Sequence, residues 1–162
     1  MKHILYVLVV CNITLSGVSQ NQHDEQLVKQ TANSWFNSFN KHNYYDYPSY
    51  TTEDCYGVNP FGFHGKRTSE TPAIYTRAHE TFLKNASLIV DSMSIRFIRP
   101  EVAIATVFST QKGTTEAPPG MDKSLTSRAG ERLISTMVIV KQDNKWLITQ
   151  YQNTFNLAPE AK

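Results

Sequence analysis

The C-terminal stretch constrains what the rest of the chain can fold into. From Glu131 to Phe155 it reads ERLISTMVIVKQDNKWLITQYQNTF, two runs rich in Ile, Val, Thr, Tyr and Trp around Gln142-Asp143-Asn144-Lys145. Asp and Asn tolerate the positive φ angles of a type I′ turn, so the pattern predicts a β-hairpin with Asp143 and Asn144 as its loop. On one face Val140 then opposes Leu147, Val138 opposes Thr149, Thr136 opposes Tyr151 and Ile134 opposes Asn153. Lys141 with Trp146, Ile139 with Ile148, Met137 with Gln150 and Ser135 with Gln152 make the other face. Neither face is purely polar. Such a sheet has a core on one side and a pocket or partner surface on the other, or at its end.

The remaining segments supply what that sheet needs. Leu27, Val28, Thr31 or Ala32, Trp35, Phe36 and Phe39 recur at three and four, predicting an amphipathic helix of about five turns capped at Asp24 or a neighbour and ended by Lys41-His42-Asn43. Four tyrosines, Tyr44, Tyr45, Tyr47 and Tyr50, follow in a possible short helical segment, either a buried aromatic wall or a rim that contacts a ligand. Thr51 to Asp54 reads as a polar turn, residues 55–58 as a short strand, and Asn59 to Gly65 as a glycine-punctuated reversal. A second helix begins at Thr71-Pro72 and carries Ile74, Tyr75, Ala78, His79, Phe82 and Leu83. Residues 88–98 and 102–111 read as strands joined by Arg99-Pro100-Glu101. Residues 112–127 lack periodicity, as a disordered excursion or a lid over a pocket would. Helices first and strands last give an α+β fold, a curved antiparallel sheet wrapped over N-terminal helices.

Composition narrows the partners. With 162 residues the chain accommodates one domain, residues 20–157, and a short tail, 158–162. Sixteen basic against fourteen acidic side chains give a net charge of +2 with no block of like charge, which argues against nucleic acid or an anionic membrane as partner. Met1-Lys2-His3, an apolar run from Ile4, and Gly17-Val18-Ser19 make residues 1–19 a secretory signal peptide, so the mature protein is expected to be exported, periplasmic or secreted. Cys55 is then the only cysteine and is expected to be buried.

Several motifs taken together resemble a family. They are Tyr50-Thr51-Thr52-Glu53-Asp54, Val58-Asn59-Pro60-Phe61-Gly62, His79 three residues before Phe82, Arg96-Phe97-Ile98-Arg99-Pro100-Glu101-Val102-Ala103, and Lys145-Trp146-Leu147-Ile148 through Gln152-Asn153-Thr154. Over about residues 26–156 their order resembles the SnoaL-like branch of the nuclear transport factor 2-like superfamily, of the SgcJ/EcaC type. The resemblance implies a cone-shaped α+β fold with an internal pocket, commonly dimerising through the outer sheet face. It covers isomerases, dehydratases and polyketide cyclases alongside members that only bind or assemble. The SgcJ/EcaC label carries the word oxidoreductase, yet no Gly-rich dinucleotide loop is present, and no cofactor is expected.

Candidate site residues follow from both readings. The resemblance implies that Asn59 stands where related ketosteroid isomerases hold an Asp base; an amide cannot take that proton but can orient a ligand or cap the turn. The same comparison places Trp35 where the isomerases have a pocket tyrosine. His79 is the candidate general acid or base, against a structural role beside the apolar stripe. Asp91 is the one carboxylate that could replace the missing base if it faces inward, and Arg128 could hold a substrate anion or pair with a surface acid. Tyr50 belongs to the tyrosine rim. Gln152 and Asn153 are strand neighbours, so without a bulge only one can line a pocket. No metal is expected, because His79-Glu80 lacks a second His four residues on. Two functions fit: a pocket protein for a small apolar ligand, with proton-transfer chemistry at His79, or a non-catalytic binding or assembly module, either one as a homodimer.

Overall fold

The computed structural model describes residues 2–62, 64–66, 69–117, 120, 122–123, 126 and 130–157, with side chains from residue 21 onward except Lys66. Helix α1 (Lys2–Lys41) is followed by the short α2 (Tyr47–Tyr50), β1 (Thr51–Val58), β2 (His64–Lys66), α3 (Thr71–Glu80), β3 (Ser87–Arg99), β4 (Val102–Lys112), β5 (Arg132–Gln142) and β6 (Lys145–Phe155). The strands form one sheet in the order β2-β1-β6-β5-β4-β3. This is the expected α+β arrangement. Among the described residues no helix is long and apolar enough to cross a membrane.

The closing hairpin turns where the sequence predicts. Asp143 and Asn144 adopt φ of 48° and 61°, the positive pair a type I′ turn demands. Near the turn the pairing is as expected, Lys141 with Trp146, Val140 with Leu147 and Ile139 with Ile148. Beyond it the expected pairing fails. Val138 opposes Gln150, Met137 opposes Tyr151 and Ser135 opposes Asn153, because Thr149 is an extra residue that bulges out of β6. One inserted residue exchanges the two faces of everything after it. Trp146 and Ile148 before the bulge, and Tyr151 and Asn153 after it, are therefore all buried on the same side.

A second bulge acts on β3. Val90 pairs with Ser109 and Ser92 with Phe108, which leaves Asp91 as the unpaired residue. Phase matters here too: Val90, Met93, Ile95 and Phe97 pack on the core although they straddle odd and even positions.

Three further elements depart from expectation. The strand expected at residue 55 begins at Thr51, and it pairs with β6 in parallel, so the sheet is not wholly antiparallel. Within the glycine-punctuated reversal, His64–Lys66 forms a short strand against β1. Phe82 and Leu83 lie beyond α3, in a turn.

Helix α1 packs its buried stripe, Val28, Ala32, Trp35, Phe36 and Phe39, on the inner sheet face. Ala103 and Ala105 on β4 are small and fully buried, which lets the helix approach the backbone closely. Polar clasps fix it at mid-helix and near its C-terminal end. Asp24 caps no helix, since α1 runs continuously through it; its Oδ1 instead accepts from Lys141 Nζ at 2.9 Å and Trp146 Nε1 at 3.0 Å. Near the C-terminal end Asn40 accepts from Leu88 N–H at 2.7 Å and donates to Leu88 C=O at 2.8 Å. The helix is thus pinned to the hairpin turn and to β3.

Candidate functional site

Two nested cavities open between α1, α3 and the end of the sheet remote from the hairpin turn. The inner one is about 40 Å³, room for a few waters or one small chemical group. The outer one is about 600 Å³, within the range of ordinary small-molecule sites. Asn59, Tyr75, Phe82 and Leu83 line both, so the two adjoin. Gly57 floors the outer cavity because the ring of Tyr151 lies across it; a Cβ there would collide with that ring.

Polar groups without partners gather around the inner cavity. Trp35 and Asn153 line it, and their Nε1 and Oδ1 atoms are buried with no hydrogen-bond partner. The indole N–H lies near enough to the Tyr151 oxygen to favour a phenolate there, but its geometry falls short of a hydrogen bond. Ser135, paired across the sheet with Asn153, and Ser109 on β4 have unpartnered buried hydroxyls as well. Buried polar groups are normally satisfied, so four of them on one side of one sheet need an explanation.

A tyrosine cluster lies beside the cavities. The Tyr151 and Tyr75 hydroxyls hydrogen-bond at 3.2 Å, and Tyr47 approaches Tyr151 at 3.4 Å. Burial pushes all three phenols well above their ordinary range, so they stay protonated and can only act as neutral donors or acceptors. Cys55 sits under Tyr47, fully buried, its thiol pushed up to about 11 by desolvation. It behaves as a small apolar residue rather than a nucleophile.

The other residues singled out from the sequence are distributed more widely. Asn59 lines both cavities, while its Oδ1 accepts the Phe61 N–H at 3.0 Å and caps the turn. Gln152 does not reach the site: it is exposed opposite Thr136, because the bulge at Thr149 turns Asn153 inward. Asp91 is likewise outside. As the bulged residue of β3 it is exposed, accepting from Thr110 Oγ1 at 2.7 Å, and it cannot serve as the missing base. Tyr50 is buried away from both cavities, donating to Ser38 Oγ at 2.8 Å. Arg128 lies outside the described residues.

His79 requires the largest correction. It is buried and lines neither cavity. Its Nδ1 is 3.3 Å from the Leu83 carbonyl, which can only accept, so Nδ1 carries the proton. Nε2 then accepts from the Tyr44 hydroxyl at 2.9 Å. Desolvation, followed by the His42 ring stacked on it at 4.0 Å, lowers its pKa to about 4, outweighing the Leu83 bond that acts the other way. Both ring nitrogens are engaged, and the ring is neutral at neutral pH. His79 bonds the turn that carries Phe82 and Leu83.

Sequence reasoning missed several lining residues. Gln111 and Thr115 are buried at the end of β4 and just after it, and both line the inner cavity. The segment expected as excursion or lid thus contributes wall at its start, where Gly113, φ 73°, passes too close to the Asn85 carbonyl for any side chain; residues 118, 119, 121, 124, 125 and 127 of it lie outside the described residues. Tyr75 and Arg77 on α3 and His64 on β2 line the outer cavity. Among the described residues no cluster of three or more His, Cys, Asp or Glu is placed to hold a metal ion.

No protein-family model and no curated protein matches the chain. Solved structures do. A protein with a cystatin-like fold from Caulobacter vibrioides superposes with a TM-score of 0.72 at 18% identity, covering 82% of this chain and 89% of that one. A nuclear transport factor 2-like protein from Novosphingobium aromaticivorans gives 0.70 at 9% identity, with 90% of each chain covered. A candidate dehydratase of that family from Streptomyces avermitilis gives 0.65 at 13% identity, covering 85% of this chain and 99% of that one. At such identities what is shared is architecture: the chain has the cystatin-like α+β fold of nuclear transport factor 2-like proteins.

Proposed function

We propose that the chain binds one small, mostly apolar molecule in the nested cavities, with a polar tip in the inner one. The observation that carries this reading is that two residues lining a single cavity, Trp35 and Asn153, each hold a buried polar atom without a partner, Nε1 and Oδ1. One is a donor and the other an acceptor. A hydroxyl or amide tip answers both, whereas an empty cavity leaves each unsatisfied at a cost of about 1–3 kcal/mol. Binding fits the site better than proton transfer. Among the described lining residues no carboxylate is present, the phenols stay protonated, and His79 is committed elsewhere. The dehydratase name belongs to the Streptomyces protein; here the same fold supports a binding module.

Two attributes complete the proposal. Export is supported by the N-terminal pattern alone, and sequencing the mature N-terminus from the native source tests it; an intact Met1 overturns it. Self-association is supported by apolar pairs on the outer sheet face, Phe108 with Ile134, Ile104 with Val138 and Val102 with Val140, and sedimentation would reveal a monomer if it is wrong. For the central claim, native mass spectrometry of the protein from its own source should find one small molecule per chain. Trp35→Phe should lose it while keeping the fold. Equal loading of the variant would overturn the site assignment.

A further inference from the structure

The outer cavity carries a charge pattern that the inner one lacks. Its walls are apolar or aromatic, Ile74, Ala78, Phe82 and Leu83 with Tyr75 and Tyr151, yet Arg77 from α3 and His64 from β2 also line it. No Asp or Glu is among its described lining residues. Glu70, just before the helix, and Glu80, its last residue, are exposed and line neither cavity. Arg77 itself is exposed, and among the described residues it makes no ion pair. The His64 ring stands beside Tyr56, with centroids 5.7 Å apart, on the short edge strand.

From these residues we infer that the ligand is a small organic monoanion of the carboxylate class, its apolar body in the outer cavity and its charged end held outward by Arg77 and His64. The inference rests on the proposed small-molecule reading and adds the ligand's charge and orientation. The physical reasons are three. A guanidinium offers a planar fork of donors that matches a carboxylate. A cleft with low-dielectric walls and one sign of charge focuses the field and raises the local concentration of the opposite ion. The inner cavity, in contrast, presents amides, an indole and hydroxyls and no cation, so an anion has no reason to go there. Orientation is therefore set by the two ends: neutral polar tip inward, anion at the rim.

Two fluorescent probes of similar apolar body separate the claims: anilinonaphthalene sulfonate, an anion, and phenylnaphthylamine, which is neutral. The sulfonate stands in for the carboxylate. Titrated against the full chain, the anion should bind about tenfold more tightly than the neutral probe, and added salt should weaken only the anion. Arg77→Gln should abolish that preference and leave the neutral probe's affinity unchanged. Ile74→Trp, at a half-exposed lining position, should exclude both probes. If the two probes bind alike, Arg77→Gln changes neither and Ile74→Trp excludes both, the cavity reading stands and the anion inference falls. If neither probe binds, or Ile74→Trp affects neither, the cavity reading fails and the anion inference with it. Circular dichroism of each variant shows that the native fold is retained.

Discussion

The chain has two tryptophans, both almost completely buried, and they lie in opposite circumstances. Trp146, at the turn end of the hairpin, is satisfied throughout: its N–H donates to Asp24, its carbonyl accepts from Thr31 at 3.0 Å, and its ring meets Phe97 edge-on. Trp35, at the cavity end, is wrapped by Phe36, Phe39, Tyr75 and Tyr151, yet its N–H has no partner. Packing is comparable at the two sites. What differs is polar closure. A buried N–H left unpaired costs about 1–3 kcal/mol, as much as one or two ordinary hydrogen bonds contribute, so the indole of Trp35 carries a cost that a phenyl ring would not. The difference separates an end of the sheet whose buried polar groups are paired from the end where the proposed ligand would be received.

The satisfied end should be the more fragile of the two. Asp24→Ala removes one oxygen that serves both the Trp146 N–H and Lys141, leaving the indole donor buried without a partner. The expected loss is about 2–3 kcal/mol, read as a lower urea midpoint with an unchanged slope. A loss below about half a kcal/mol would mean that the clasp is incidental and would erase the contrast.

An intermediate effect belongs to the histidine behind the cavity wall. Folded His79 titrates near 4 instead of its ordinary 6.5, so between those values the unfolded chain binds a proton that the folded chain refuses. Stability is therefore intact above about pH 6.5 and falls as the pH drops toward 4, by at most about 1.4 kcal/mol per pH unit. Urea melts at neutral pH and near the lower limit measure it. His79→Gln keeps a hydrogen-bonding side chain without the titration and should flatten that slope; an unchanged slope would place its source elsewhere.

The fold was legible because its signals are local. The Asp143-Asn144 turn, the change from helical to strand period after Ser87, and the apolar stripe of α1 each follow from a few adjacent residues. The site was legible only in part, and the bulges are the reason. Thr149 and Asp91 look like ordinary strand residues, and whether a ladder inserts one extra residue depends on sheet curvature and on what packs beneath. A single insertion decides that Asn153 faces in and Gln152 out. It likewise decides that Asp91 is no base. Charge and pairing add a second limit: the periodicity that put His79 beside an apolar stripe could not reveal that Tyr44 and Leu83 occupy both its nitrogens. Arg77 escaped notice for a related reason, since an exposed arginine on a helix gives no sign that a cavity lies beside it.

The smallest expected change in stability is also the sharpest test of the contrast. Asn153→Leu replaces an unpartnered amide by an apolar side chain of nearly the same shape. In the empty protein this removes an unsatisfied acceptor without removing a bond, so stability should be unchanged or higher by up to about 1 kcal/mol. Binding should move the other way, because the inner cavity loses its acceptor while its volume is kept, and co-purifying ligand should fall. A structural residue behaves oppositely, losing stability when its polar group is deleted, as Asp24 is expected to do. Should Asn153→Leu destabilise the chain by about 2 kcal/mol, its oxygen has a partner within the protein, the two ends of the sheet are equivalent in polar closure, and the distinction between the two tryptophans no longer marks a site.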